Sequence, residues 1–230
     1  MAGRPKPPPG LPRQRRGTAP QGRTRYPDFD VLEQAGHWDE ATRNVVLERV
    51  DDVPPLRFFD AREAETLGCF CDVVMAQDAE PRVPVLAMVD RKLHEGRLDG
   101  YQYADMPDDR ETWRLAARGL DERARELGAA RFAAADPDTR LRIVGEFHAG
   151  DLHDGVWARL PAKKAFSVLM RAVLEAFYSH PWAWNEIGFG GPAYPRGYAR
   201  MGIGLRESWE GEEAFDVDPV RDVRERDVDR

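Results

Sequence analysis

Five histidines, two cysteines and forty-one carboxylates are the side chains of this 230-residue chain able to hold a metal or relay protons. Their spacing decides against both. A di-iron bundle needs Glu-x-x-His on two helices, but Glu146 stands two residues before His148 and Glu175 five before His180. His148 and His153 straddle Gly150-Asp151, so they do not sit one helical turn apart. Cys69 and Cys71, two apart on a helix, point in different directions and form no mutual disulfide. Alone they are too few to ligate structural zinc. No Walker loop, nucleophile elbow or zinc-protease pattern occurs, and GFGGP at 188–192 lacks the dinucleotide fingerprint and its preceding strand. The sequence therefore assigns no catalytic residue, no metal ligand and no cofactor bound by this chain. His37, His94 and His148 read as surface or core-edge residues.

What remains is one unusual stretch, Phe177 to Gly202, FYSHPWAWNEIGFGGPAYPRGYARMG. Pro and repeated Gly rule out a long helix there, so its rings are expected on an irregular loop shaped by Pro181, Gly188, Gly190, Gly191, Pro192, Pro195 and Gly197. Loops on rigid scaffolds carry a disproportionate share of binding residues, and Trp, Tyr and Arg are common interface anchors. His180 stands between two readings, a helix C-terminus whose free carbonyls it meets, or a contact with a partner or buried polar site. Trp182 and Trp184 fit core packing and docking equally. A different class of reading makes the chain a stand-alone helical enzyme or ligand-binding domain. His180, Asn185, Glu186 and Arg196 would then converge on a small molecule, with residues 180–198 as a lid.

Helices must carry that loop. The pattern predicts them over Trp38–Val50, with Val45 or Val46 inward, and from the Asp60-x-x-Glu63 capping box through Leu67, Cys71 and Val74. Others are predicted over Pro84–Glu95, with Leu86, Val89 and Leu93 inward, and over Asp108–Leu127 on Trp113, Ala116, Leu120 and Ala124. Asp136-Pro137 opens another, through Phe147 with Leu141 and Val144 inside. Pro161–Ser179 is the last, burying Phe166, Leu169, Val173 and Phe177. Alternating apolar strands are scarce. The fold class expected is all-α, a single helical domain over 26–205 with a long Gly/Pro/aromatic C-terminal loop and disordered ends.

The ends differ in charge. Residues 1–25 hold seven Lys or Arg, six Pro and no acid, a composition that cannot bury enough apolar surface to fold. Arg15-Arg16 opens no export signal, because a polar, proline-broken stretch follows it. Residues 206–230 are expected to be a charged disordered tail. The net charge is −7, so the chain beyond the basic tail is strongly acidic, which argues against a nucleic-acid-binding core. No stretch approaches the roughly 20 apolar residues that span a bilayer.

From Tyr178 onward, YSHPWAWNEIGFGGPAYPRGYARMG resembles the C-terminal signature of the gluconate 2-dehydrogenase subunit 3 family, the small subunit of flavin-dependent sugar and polyol dehydrogenases. HWDEATRNVVLERV at 37–50 and RFFDAREAETLGCFCDVVMAQD at 57–78 fit the same pattern. The resemblance implies a helical, non-catalytic accessory subunit. Its partner would be a large flavoprotein of the glucose–methanol–choline type that carries FAD and oxidises sugars, aldonates or polyols. A cytochrome subunit is a second partner that the resemblance allows. His180, Trp182, Trp184, Asn185, Glu186, Tyr194, Arg196 and Tyr198 would then face or support the partner. Lacking a usable signal, the chain is expected in the cytoplasm unless the partner supplies one.

Overall fold

Four helices open on an aspartate whose side chain accepts a backbone N–H of the first turn: Asp39, Asp60, Asp108 and Asp136. Each carboxylate satisfies a donor that has no intrahelical partner. At Asp60 the reciprocal bond from Glu63 completes the capping box. The hydrogen bonds from Thr139 hold the Asp136 carboxyl below its usual range.

A computed structural model of the chain describes residues 26, 29–78, 80–97, 99–100, 102–200, 202 and 205–212. Among them are seven α-helices and no strand, so the fold is all-α as expected. In chain order these are α1 (Glu40–Asp51), α2 (Ala61–Val74), α3 (Val85–His94), α4 (Asp109–Glu126), α5 (Pro137–Ala149), α6 (Ala162–Tyr178) and α7 (Pro181–Ile187). Short 3-10 helices occupy Val31–His37, Phe132–Ala134 and Gly155–Ala158. The first six α-helices lie close to the expected spans. No helix among the described residues is long and apolar enough to cross a membrane.

Within the helical region expected over 26–205, the described residues group into two compact units. The larger unit, Val53–Gln77 with Pro84–Phe177, is built on α2 to α6. Trp113, Leu120, Phe70, Phe132, Phe147 and Leu169 are fully buried in it. Phe147 anchors an aromatic cluster, its ring centroid 4.8 Å from Trp157 and 5.2 Å from Phe166. Gly119 is needed here because a side-chain carbon at that position would stand 2.5 Å from the Trp157 ring. Two buried carboxylates tie this unit together. Asp90 on α3 accepts the N–H groups of Arg57, Phe58 and Phe59, and Asp121 on α4 accepts from Thr66, Phe132 and Arg62. Buried acceptors with several donors fix a loop in place far more firmly than propensity does.

The other unit draws on residues to Asp52, Asp78–Val83 and Tyr178 onward. Its core is Val31, Leu32, Trp38, Val46 and Trp184.

Two expectations need correction. Leu141 is exposed, and Ile143 takes the inward place beside Phe147 because the apolar stripe of α5 lies two residues further on. Of Val45 and Val46, the pair left open for α1, Val46 is the one that faces in. Residues 206–212, expected within the charged disordered tail, fold back onto the aromatic loop through Glu207 and Trp209. The tail expectations for 1–25 and 213–230 lie outside the described residues.

Candidate docking site

The aromatic stretch is not wholly irregular. Pro181 occupies the first turn of α7, where a missing N–H costs nothing. His180 caps that helix, its side chain accepting the Trp182 N–H at 3.2 Å through Nδ1. Gly188 ends it in the left-handed conformation, φ 69°. So a seven-residue helix fits between the proline and the glycine that excluded a long one.

His180 therefore serves the start of the next helix, in the buried polar setting that was the second of its two readings, and its ring also bonds the backbone of Arg49 in the last turn of α1. It is 1% exposed, with its ring 4.7 Å from Trp182. Burial drives its pKa down to about 4, so the imidazole is neutral and free to accept at Nδ1. Trp184 packs in the core with Val31, Leu32, Trp38 and Val46, and its Nε1 donates to the Tyr178 carbonyl at 2.6 Å. The Arg49 guanidinium lies 5.9 Å from that ring and donates to the Ser179 carbonyl. Asn185 accepts the Val31 N–H at 2.7 Å, clasping α7 to the 3-10 helix Val31–His37. Trp182 is buried as well, and its Nε1 has no acceptor. Core packing thus claims both tryptophans of α7, and Glu186 beside them is half-buried.

Beyond Gly188 the character changes. Tyr194 is 65% exposed and Tyr198 48%, and Ile187, Phe189 and Leu205 are exposed too. Arg196 is half-buried and donates to Gln34 at 2.9 Å through Nη1, while its Nε and Nη2 have no acceptor. Its guanidinium lies 4.2 Å from the Trp209 ring. Burial pulls its pKa below the ordinary arginine range. The glycines create notches that rings fill. A side-chain carbon at Gly190 would lie 2.5 Å from Trp209, and one at Gly191 2.7 Å from Trp38. The GFGGP backbone is thus covered by indoles and follows a helix, which is not the open strand-to-helix turn that cradles a pyrophosphate.

His180, Asn185 and Arg196 bond to separate partners: the Trp182 amide, the Val31 amide and the Gln34 carboxamide. Among the described residues, no three His, Cys, Asp or Glu side chains gather as a metal-ligand cluster. Neither cysteine forms a disulfide, and burial pushes the Cys71 thiol up, away from the reactive thiolate. Two features escaped the sequence reading, the Val31–His37 helix and the Glu207–Trp209 fold-back. Asp30, whose side chain accepts from Leu32, was the one signal for the first.

Comparison with known proteins agrees with the loop signature and narrows its extent. No curated protein and no solved structure matches. A family model described as gluconate 2-dehydrogenase subunit 3 matches residues 61–191, more than half of the chain, including α2 to α7 and the GFGG run. On that match, the chain belongs to the gluconate 2-dehydrogenase subunit 3 family.

Proposed function

We propose that this chain is the non-catalytic accessory subunit of a FAD-dependent dehydrogenase. It holds a large flavoprotein of the glucose–methanol–choline type in its folded, flavin-loaded state. The flavoprotein oxidises a sugar, an aldonate or a polyol, and FAD stays with it. The observation that carries this reading is the stretch from Ile187 to Leu205, where Phe189, Tyr194 and Tyr198 stand exposed on a framework of buried tryptophans. Several exposed aromatic residues within one short, firmly packed stretch suit a contact surface. A family membership that names a dehydrogenase subunit supplies the kind of partner.

The mechanism is linkage. A partner that binds only the folded flavoprotein stabilises it by mass action, about 2.7 kcal/mol when the free subunit is at 100 times its Kd. Buried Trp184 and Asn185 hold the loop in one shape before docking, which lowers the ordering cost of association.

The test is co-expression with a large flavoprotein of the glucose–methanol–choline type from the same genome, followed by flavin content and dye-reduction activity of the soluble fraction. The expected result is soluble, flavin-loaded large subunit only when this chain is present. Full recovery of soluble, active flavoprotein without it overturns the proposal.

A further inference from the structure

The C-terminal strap Leu205–Glu212 shows which chemistry the aromatic loop accepts. Glu207 is 5% exposed, and one carboxylate oxygen accepts the N–H groups of both Ala199 and Arg200. Two residues on, the Trp209 ring lies beneath the Arg196 guanidinium, 6.3 Å from the Tyr198 ring and against the Gly190 notch. The Gly211 N–H then reaches the Gly188 carbonyl at 2.9 Å. The Glu210 N–H closes a turn on the Glu207 carbonyl.

The seat is positively charged and the strap negatively. From Ile187 to Gly204 the sequence has Arg196 and Arg200 and no acidic residue, in a chain of net charge −7, while Arg206 belongs to the strap and pairs with its Glu212. The strap brings Glu207, Glu210 and Glu212. Its fit is incomplete, because the buried Nε1 of Trp209 and the Nε and Nη2 of Arg196 have no acceptor. Donors left in that state oppose the closed arrangement and favour an occupant that supplies acceptors. The strap also lies outside the matched residues 61–191.

We infer that Leu205–Glu212 is an internal ligand that a partner displaces. The partner segment carries an acidic residue two positions before an aromatic ring, plus a further acceptor for Arg196. This rests on the accessory-subunit reading and adds the recognition chemistry of its docking face. A tethered strap meets its seat at a high effective concentration, so the free subunit is masked against weak partners. A partner segment that makes the full set of contacts opens it.

The test titrates a fluorescent peptide with the sequence of residues 205–212 into the full-length chain. The Glu207→Ala/Trp209→Ala variant is expected to bind it saturably, and the wild-type chain about tenfold more weakly, since its own strap competes. Peptides with Gln for the first Glu, or Ala for Trp, are expected to lose about tenfold each. Equal binding to wild type and variant, or no saturable binding to the variant, overturns the inference. Glu207→Gln alone, checked for unchanged helicity, repeats the test if the double variant misfolds. With the co-expressed flavoprotein, Trp209→Ala is expected to tighten association about tenfold. Unchanged or weaker association overturns the strap while leaving the accessory-subunit reading standing. Absence of any complex refutes that reading instead, and the peptide titration then decides the seat by itself.

Discussion

The two units use their large side chains in opposite ways. In the α2–α6 unit every described large aromatic is at least half covered, and the exposed large hydrophobics are Val53, Leu56, Leu141 and Leu174. In the unit that holds α1 and α7, Tyr178, Phe189, Tyr194 and Tyr198 all stand exposed. The first unit fixes its loops with buried carboxylates, Asp90 and Asp121, each taking several donors. The second is fitted around tryptophans in glycine notches and a neutral histidine cap. One unit turns its large rings inward, and the other leaves several of them on its surface. Stability and contact are thus assigned to separate parts of the chain.

The sharpest test of that division is Asp90→Ala. The change strands the N–H groups of Arg57, Phe58 and Phe59 beside a buried gap. A loss of roughly 3–5 kcal/mol is expected, read from the urea unfolding midpoint, with docking-surface chemistry untouched. Asp90→Asn, which keeps an acceptor oxygen, is expected to recover part of it. An Asp90→Ala protein as stable as wild type would break the assignment of this unit to stability.

The other unit carries the pH dependence. Folded His180 has a pKa of about 4 against 6.5 when exposed, and burial is the main cause. Below pH 6.5 the unfolded chain takes up a proton that the folded chain refuses. Its contribution is therefore complete above pH 6.5 and is lost as pH falls towards 4. The full effect is roughly 3 kcal/mol, since each tenfold change in proton affinity is worth about 1.36 kcal/mol. Urea midpoints at pH 7 and pH 4.5 measure it, and His180→Asn, a neutral cap, is expected to flatten the slope. The same slope in both proteins would remove His180 as the cause.

Much of this was legible beforehand, for identifiable reasons. Asp60 and Asp136 announce their helices because a short carboxylate before an apolar stripe has one obvious place to bond. The aromatic loop was legible as a surface, but not which rings face out. Trp182 and Tyr194 look alike in sequence, and only the short helix between Pro181 and Gly188 buries the first and leaves the second exposed. Asp90 and Asp121 were invisible because their donors come from 31 residues or more away, or from a neighbouring loop. Trp209 was hidden among charges, since composition alone reads residues 206–230 as solvated.

Packing tolerance separates the units at a smaller scale. Gly119→Ala drives a carbon to 2.5 Å from the buried Trp157 ring in the middle of a helix. A cost of about 1–3 kcal/mol is expected, seen as a lowered melting temperature. Gly145 on α5 is the control, with nothing within 4 Å of its position. Gly145→Ala is expected to hold or raise stability, because alanine is the better helix former by about 1 kcal/mol. Equal losses at both sites would mean that helix geometry, not the indole contact, sets the cost.

The smallest stability effect belongs to the most exposed rings, and it makes the comparison most specific. Tyr194→Ala and Tyr198→Ala remove side chains that are 65% and 48% exposed, so each is expected to shift unfolding by no more than about 0.5 kcal/mol. Association with the flavoprotein should fall much further, by about 2 kcal/mol for an aromatic anchor at the centre of an interface. Both are needed together, from a urea melt and a pull-down titration on the same preparation. Tyr194 is the stronger case, since Tyr198 also lies beside Trp209, and its loss would loosen the strap as well as the surface. If Tyr194→Ala left association unchanged while Tyr198→Ala altered it, the contact face would centre on the strap seat. If instead Tyr194→Ala destabilised the fold, the exposed rings would be structural, and the separation of contact from stability would fail at its most exposed residue.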